Sequence, residues 1–119
     1  MSEQPQKAPR RIGQVIRLKP EEYESYKRLH VSVWPKVLQT ITLANIRNYS
    51  IFHWNGLLFA YFEYIGEDFD GDMGKISADE ATRGWWAVVD PMQKPVEGLS
   101  SGSVEGNWWK GMEQVFHAD

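Results

Sequence analysis

The sequence predicts an α+β fold whose elements run strand, helix, strand, strand, helix, strand, with four antiparallel strands backed by helices on one face. Three observations predict it. Residues 47–54 and 57–64 are aromatic and β-branched runs on either side of Asn55-Gly56, a dipeptide that readily takes positive φ at both positions, so they form a two-residue hairpin. One helical pattern precedes this hairpin and another follows it. A short β-branched run opens the chain and a partly apolar run closes it. That order is the ferredoxin-like split βαβ sandwich, βαββαβ.

Each element has its own signal. Residues 12–18 (Ile-Gly-Gln-Val-Ile-Arg-Leu) are short, β-branched and bounded by Lys19-Pro20, as a first strand should be. Pro20 suits the first turn of a helix, and Glu21 and Glu22 lie where carboxylates favour the positive end of the helix dipole. Tyr23, Tyr26, Lys27 and His30 then share one helical face. The helix restarts at Trp34-Pro35, because the residue before proline is driven out of the helical region, and a second piece carries Val37, Leu38 and Ile41.

In the hairpin, a turn centred on Asn55-Gly56 sets Trp54 opposite Leu57, His53 opposite Leu58 and Tyr49 opposite Phe62. Tyr49, Ile51 and His53 therefore share a sheet face. Residues 66–74, acidic and glycine-rich, read as a loop with at most one helical turn. Ser77-Ala-Asp-Glu80 has the form of a capping box for a helix carrying Ala81, Trp85, Val88 and Val89 that stops before Pro91. Residues 94–107, rich in Pro, Gly and Ser, read as a long surface loop, and residues 112–117 as the closing strand. Phe52, Trp54, Phe59 and Tyr61 make the second face of the hairpin aromatic too. An uncovered apolar face is a liability, which predicts a homodimer of the dimeric α/β-barrel type formed through the sheet.

Composition narrows the function. A chain of 119 residues suffices for one domain with a single core, expected over 11–119 behind a disordered tail at 1–10. Without cysteine there are no disulfides, thiolate metal sites or cysteine nucleophile. A net charge of −3 with no basic stripe argues against nucleic acid. No apolar run suits a signal peptide or a membrane span, so a soluble cytoplasmic protein is expected. The sequence also lacks a phosphate-binding loop, a dinucleotide fingerprint, a His-Glu-x-x-His helix and a Gly-x-Ser-x-Gly elbow.

What remains is a concentration of aromatic side chains with polar tips around one histidine. Tyr26 and His30 stand four apart, so they meet along their helix and can line one pocket. Such pairs also serve as ordinary packing. Trp85 and Trp86 diverge by about 100° on a helix, so at least one ring belongs in the core; the alternative is a platform on which sugar C–H faces stack. Trp108-Trp109, at the end of the long loop, is expected to pack as a plug. His53 is expected to be a structural strand residue and His117 a solvated one.

These pieces together resemble a known family. Tyr26-Lys-Arg-Leu-His30, Val-Ser-Val-Trp34-Pro35, Asn48-Tyr49-Ser-Ile, Arg83-Gly-Trp85-Trp86 and the closing Glu113-Gln-Val-Phe116 form an ordered set similar to that of the L-rhamnose mutarotases. The resemblance implies a dimeric ferredoxin-like domain acting on a monosaccharide without a cofactor or metal. It implies His30 as the proton donor, Tyr26 and Tyr49 as sugar-contacting tyrosines, and Trp85 and Trp86 as a substrate-binding pair. The loop at 94–110 is longer than the family's usual connection, residues 66–75 look expanded, and Phe116-His117 stands where a tyrosine is commoner. Two other functions fit the same fold. One is a dimeric α/β-barrel monooxygenase or haem-binding oxidoreductase with His30 as a ligand, and the other is a sugar-binding protein without catalysis.

Overall fold

The expected first strand begins slightly earlier than its β-branched pattern suggests: in the computed structural model, which describes residues 8–98 and 100–119, β1 spans Arg10–Leu18. Most of the expected tail, residues 1–7, lies outside the described residues. A 3-10 turn at Pro20–Glu22 leads into α1 (Tyr23–Val31), and Trp34-Pro35 separates it from α2 (Pro35–Leu43) as the proline predicts. The hairpin strands β2 (Ile46–Trp54) and β3 (Leu57–Tyr64) follow. Asn55 at φ 50° and Gly56 at φ 75° make their turn, and Trp54 pairs with Leu57 and His53 with Leu58.

One irregularity in β2 re-aims half the strand. Arg47 pairs with Glu63 but Ser50 with Tyr61, so Asn48 and Tyr49 together span the position opposite Phe62. Asn48 takes φ 53°, which asparagine tolerates better than most residues, and forms a β-bulge. Tyr49 stacks on Phe62 at 5.3 Å, as their opposition predicts. Beyond the bulge the alternation flips, so Ile46 is buried beside Tyr64 and Arg47 is not driven into the core.

Three sequence expectations need correction. Residues 66–74 are not a loop, because α3 spans Phe69–Ala78. The Asp68 carboxylate accepts from the Gly71 N–H at 3.1 Å, and Asp72 is buried against the Tyr64 hydroxyl and the Asn45 amide. Capping and this tertiary pin outweigh the roughly 1 kcal/mol that each internal glycine costs a helix. The next helix, α4 (Glu80–Val89), is capped by Asp79, not by Ser77. Asp79 accepts from both the backbone and the hydroxyl of Thr82, while the Ser77 hydroxyl donates back to the Met73 carbonyl. Finally, the closing strand is not at 112–117. The edge of β1 is shared by β4 (Gln93–Lys94), paired with Arg17–Leu18, and β5 (Lys110–Met112), paired with Gly13–Val15; after Met112 the chain leaves the sheet.

The sheet runs β2-β3-β1-β4, with β5 also on β1, and the helices cover one face. Ile16, Leu18 and Leu58 pack there against Tyr26, Val37, Trp85, Val89 and Trp108. Among the described residues the opposite face has no helix over it, and Phe52 and Trp54 there are about two-thirds exposed.

Candidate active site

Between the covered face of the sheet and the helices lies a cavity of about 780 Å³, lined by His30, Tyr49, Trp85 and Trp86 among others. Three separate stretches of chain, α1, β2 and α4, deliver these groups. His30 comes from the last turn of α1. Its ring lies 4.1 Å from that of Tyr26, one helical turn earlier, and 5.2 Å from that of Trp85 in an edge-to-face contact. Trp85 is itself backed by Trp34, at 5.3 Å and 78°. Gly84 permits this layering, since a Cβ there would stand 3.3 Å from the Trp34 ring.

The histidine's chemistry is set by its own helix. Nδ1 lies 2.7 Å from the Tyr26 carbonyl oxygen. A carbonyl only accepts, so Nδ1 carries the hydrogen and Nε2 is the nitrogen left to exchange protons. Burial lowers the His30 pKa from its ordinary 6.5, with the carbonyl contact opposing that effect. At neutral pH the ring is therefore a neutral base.

Tyr49 is 40% exposed, because its ring opens onto the cavity. Desolvation by the surrounding protein pushes its pKa up to about 12. It stays protonated at neutral pH and can donate a hydrogen bond.

The structure brings four of the five expected site residues onto one cavity and sets the fifth apart. Tyr26 does not line the large cavity; it is buried behind His30 and borders a smaller one of about 250 Å³, shared with His30, Tyr23 and His53. Its hydroxyl accepts a hydrogen bond from the buried Gln93 amide at 3.2 Å. Of the Trp-Trp pair, Trp85 is core and Trp86 is partly open. Both rings of Trp108-Trp109 line the cavity with Ser103 and Asn107, but Trp108 is buried in the core whereas Trp109 is only partly buried. Gln14 is a cavity residue that the sequence pattern did not single out. Gln14 alternates with core residues along β1, and that alternation was the available signal.

The family description L-rhamnose mutarotase matches residues 11–118. The chain belongs to the L-rhamnose mutarotase family. The L-rhamnose mutarotase of Lactiplantibacillus plantarum is 29% identical to it over 111 residues, covering 92% of this chain and 98% of that protein. The enzyme of the same name from Listeria monocytogenes serotype 4b is 33% identical over 86 residues, covering 71% and 80%. The crystal structure of the L-rhamnose mutarotase of Formosa agariphila superposes with a TM-score of 0.70 at 21% identity, over 92% of this chain and 99% of that one, which establishes the shared fold. Mutarotases are isomerases that exchange the anomers of a sugar, and the cavity of this mutarotase presents a neutral histidine base, a protonated phenol and indole faces to any such reactant.

Proposed function

We propose that this protein interconverts the α and β anomers of L-rhamnose, or of a closely related aldose, in the cytoplasm and without a cofactor. The observation that carries the reading is His30 itself. It is a partly buried imidazole with Nδ1 committed to the Tyr26 carbonyl, placed on the same cavity as Tyr49 and the Trp85-Trp86 pair. Anomer exchange needs the anomeric hydroxyl to lose a proton and the ring oxygen to gain one. The C1–ring oxygen bond then breaks to give the open-chain aldehyde, the C1–C2 bond rotates, and the ring closes on the other carbonyl face. In this reading Nε2 of His30 accepts the proton from the anomeric hydroxyl while Tyr49 gives its phenolic proton to the ring oxygen, and on closure the C5 hydroxyl returns that proton to the Tyr49 phenolate as protonated His30 reprotonates the carbonyl oxygen. In the reverse direction the protonated His30 acts as the acid, which is the family's proton-donor role. Trp86 and Trp85 offer apolar faces to the sugar's C–H face and to the methyl group of a 6-deoxy sugar, and Tyr26 supports His30 from behind.

The proposal includes a homodimer. The bare sheet face carries Phe52 and Trp54, and the chain after Met112 leaves Val115 and Phe116 86% and 79% exposed. Apolar surface of that kind fits burial against a second copy.

The test is magnetisation transfer between the α and β anomeric protons of L-rhamnose. Exchange above the spontaneous rate is expected with the native protein, with a loss of about 10²- to 10⁴-fold in His30→Ala, the usual worth of a positioned acid–base group. Native protein that leaves the spontaneous rate unchanged for L-rhamnose, L-fucose and other aldoses would overturn the reading.

A further inference from the structure

The end of the long loop, residues 103–109, forms one wall of the cavity, and it is tied down from inside the protein. Trp108 donates its indole N–H to Gln93 Oε1 at 2.9 Å, and Gln93 donates Nε2–H to the Tyr26 hydroxyl at 3.2 Å. All three residues are buried. The direction of the chain is forced, because an indole can only donate: it fixes the Gln93 oxygen toward Trp108 and the amide nitrogen toward Tyr26. Tyr26 in turn stacks on His30 and supplies the carbonyl that holds Nδ1. At the other end, Trp108 precedes Trp109, which faces the cavity. One amide thus joins the wall of the cavity to the seat of the base.

We propose that Gln93 is a positioning residue for the mutarotase reaction, holding the wall that carries Trp109 in register with His30 through the chain Trp108–Gln93–Tyr26. The inference rests on the mutarotase reading above. A buried polar chain of this kind is either satisfied throughout or costly, so severing it in the middle leaves the indole and the phenol unpaired and releases the loop. Gln93 touches no reacting atom. Its effect falls first on how well the sugar is bound, and second on the histidine.

The test is a set of variants followed by two readouts. Gln93→Leu keeps the size of the side chain and removes both hydrogen bonds; KM is expected to rise about tenfold, with a smaller fall in kcat. Gln93→Glu is the rescue, because a carboxylate accepts from both the indole and the phenol, and its KM should return to within about threefold of native. Trp108→Phe, which removes the indole N–H, should raise KM similarly, and combining it with Gln93→Leu should add little further. Glu97→Gln, which breaks the exposed Glu97–Lys110 ion pair on the same loop, is the control and leaves KM unchanged. The second readout needs no catalysis: the Trp108 indole N–H should exchange with solvent at least about tenfold faster in Gln93→Leu than in the native protein. If Gln93→Leu melts at a lower temperature but keeps the native KM, or if the two substitutions add in full, the positioning role is overturned. If the indole exchange rises while the native protein moves no anomer, the tie stands and the mutarotase reading fails instead.

Discussion

His30 is the residue through which the fold most directly sets chemistry. Burial disfavours its imidazolium, so in the folded protein it protonates below the ordinary histidine value of 6.5. Between its folded pKa and 6.5 the unfolded chain binds more protons than the native one. The stability contributed by neutral His30 is therefore complete above about pH 6.5 and is lost as pH falls through the folded pKa. Two measurements follow from this sign. The kcat/KM profile should hold its plateau below the usual histidine range before its acid limb begins. Thermal melts taken from about pH 8 down to about pH 5 should show native stability falling more steeply than that of His30→Gln. An acid limb at or above 6.5 would mean that the imidazole is not desolvated in solution. The Tyr26–His30 pairing was legible from a spacing of four, but the division of labour between Tyr26 and Tyr49 was not. Periodicity says which side of a helix a ring occupies, whereas Tyr26 is drawn behind the histidine by Gln93, 67 residues away.

At the scale of elements, the bulge at Asn48 is the feature that local pattern could not reveal. An uninterrupted hairpin read outward from Asn55-Gly56 places Tyr49 correctly and then misplaces everything beyond it, because one inserted residue inverts the alternation. Asn48→Ala puts in the left-handed region a residue that tolerates it less well than asparagine, and removes the hydrogen bond from the Asn48 amide to Glu63. It should destabilise the protein by about 1–2 kcal/mol and lower kcat/KM by shifting Tyr49. Asn48→Gly, which keeps the backbone conformation, should cost less; denaturant melts of the two variants make the comparison, and equal losses would show that the conformation is not what asparagine supplies. The helix α3 was hidden for a related reason: its glycines depress local propensity, and its stability comes from Tyr64 and Asn45, which hold Asp72 from neighbouring elements. The hairpin, α1, α2 and α4 carried their signals locally, in turn chemistry, proline placement and apolar spacing, and were legible.

At the scale of the whole molecule, one face of the sheet makes the core, while among the described residues no helix covers the other, where Phe52 and Trp54 stand about two-thirds exposed. A dimer through that face predicts a light-scattering mass about twice the 13.8 kDa of the chain. Trp54→Glu, which places a charge where a two-thirds-exposed indole stands, should shift the mass toward that of one chain at micromolar concentration. A native protein that scatters as a monomer would remove the interface. The bare face was readable from the sequence because both sides of the hairpin are aromatic. The short strands β4 and β5 were not, since two or three residues carry no period; only the edge of β1 makes them strands.

The distribution of the cavity's walls also bears on how the protein comes into being. His30, Tyr49 and the Trp85-Trp86 pair come first along the chain, and Trp109 and the indole that anchors it follow all of them. A chain emerging from the ribosome can form the hairpin and the helices before that stretch is free to dock. Until then the imidazole stands in a half-walled trough, and the chamber closes only when Trp108 and Trp109 have docked.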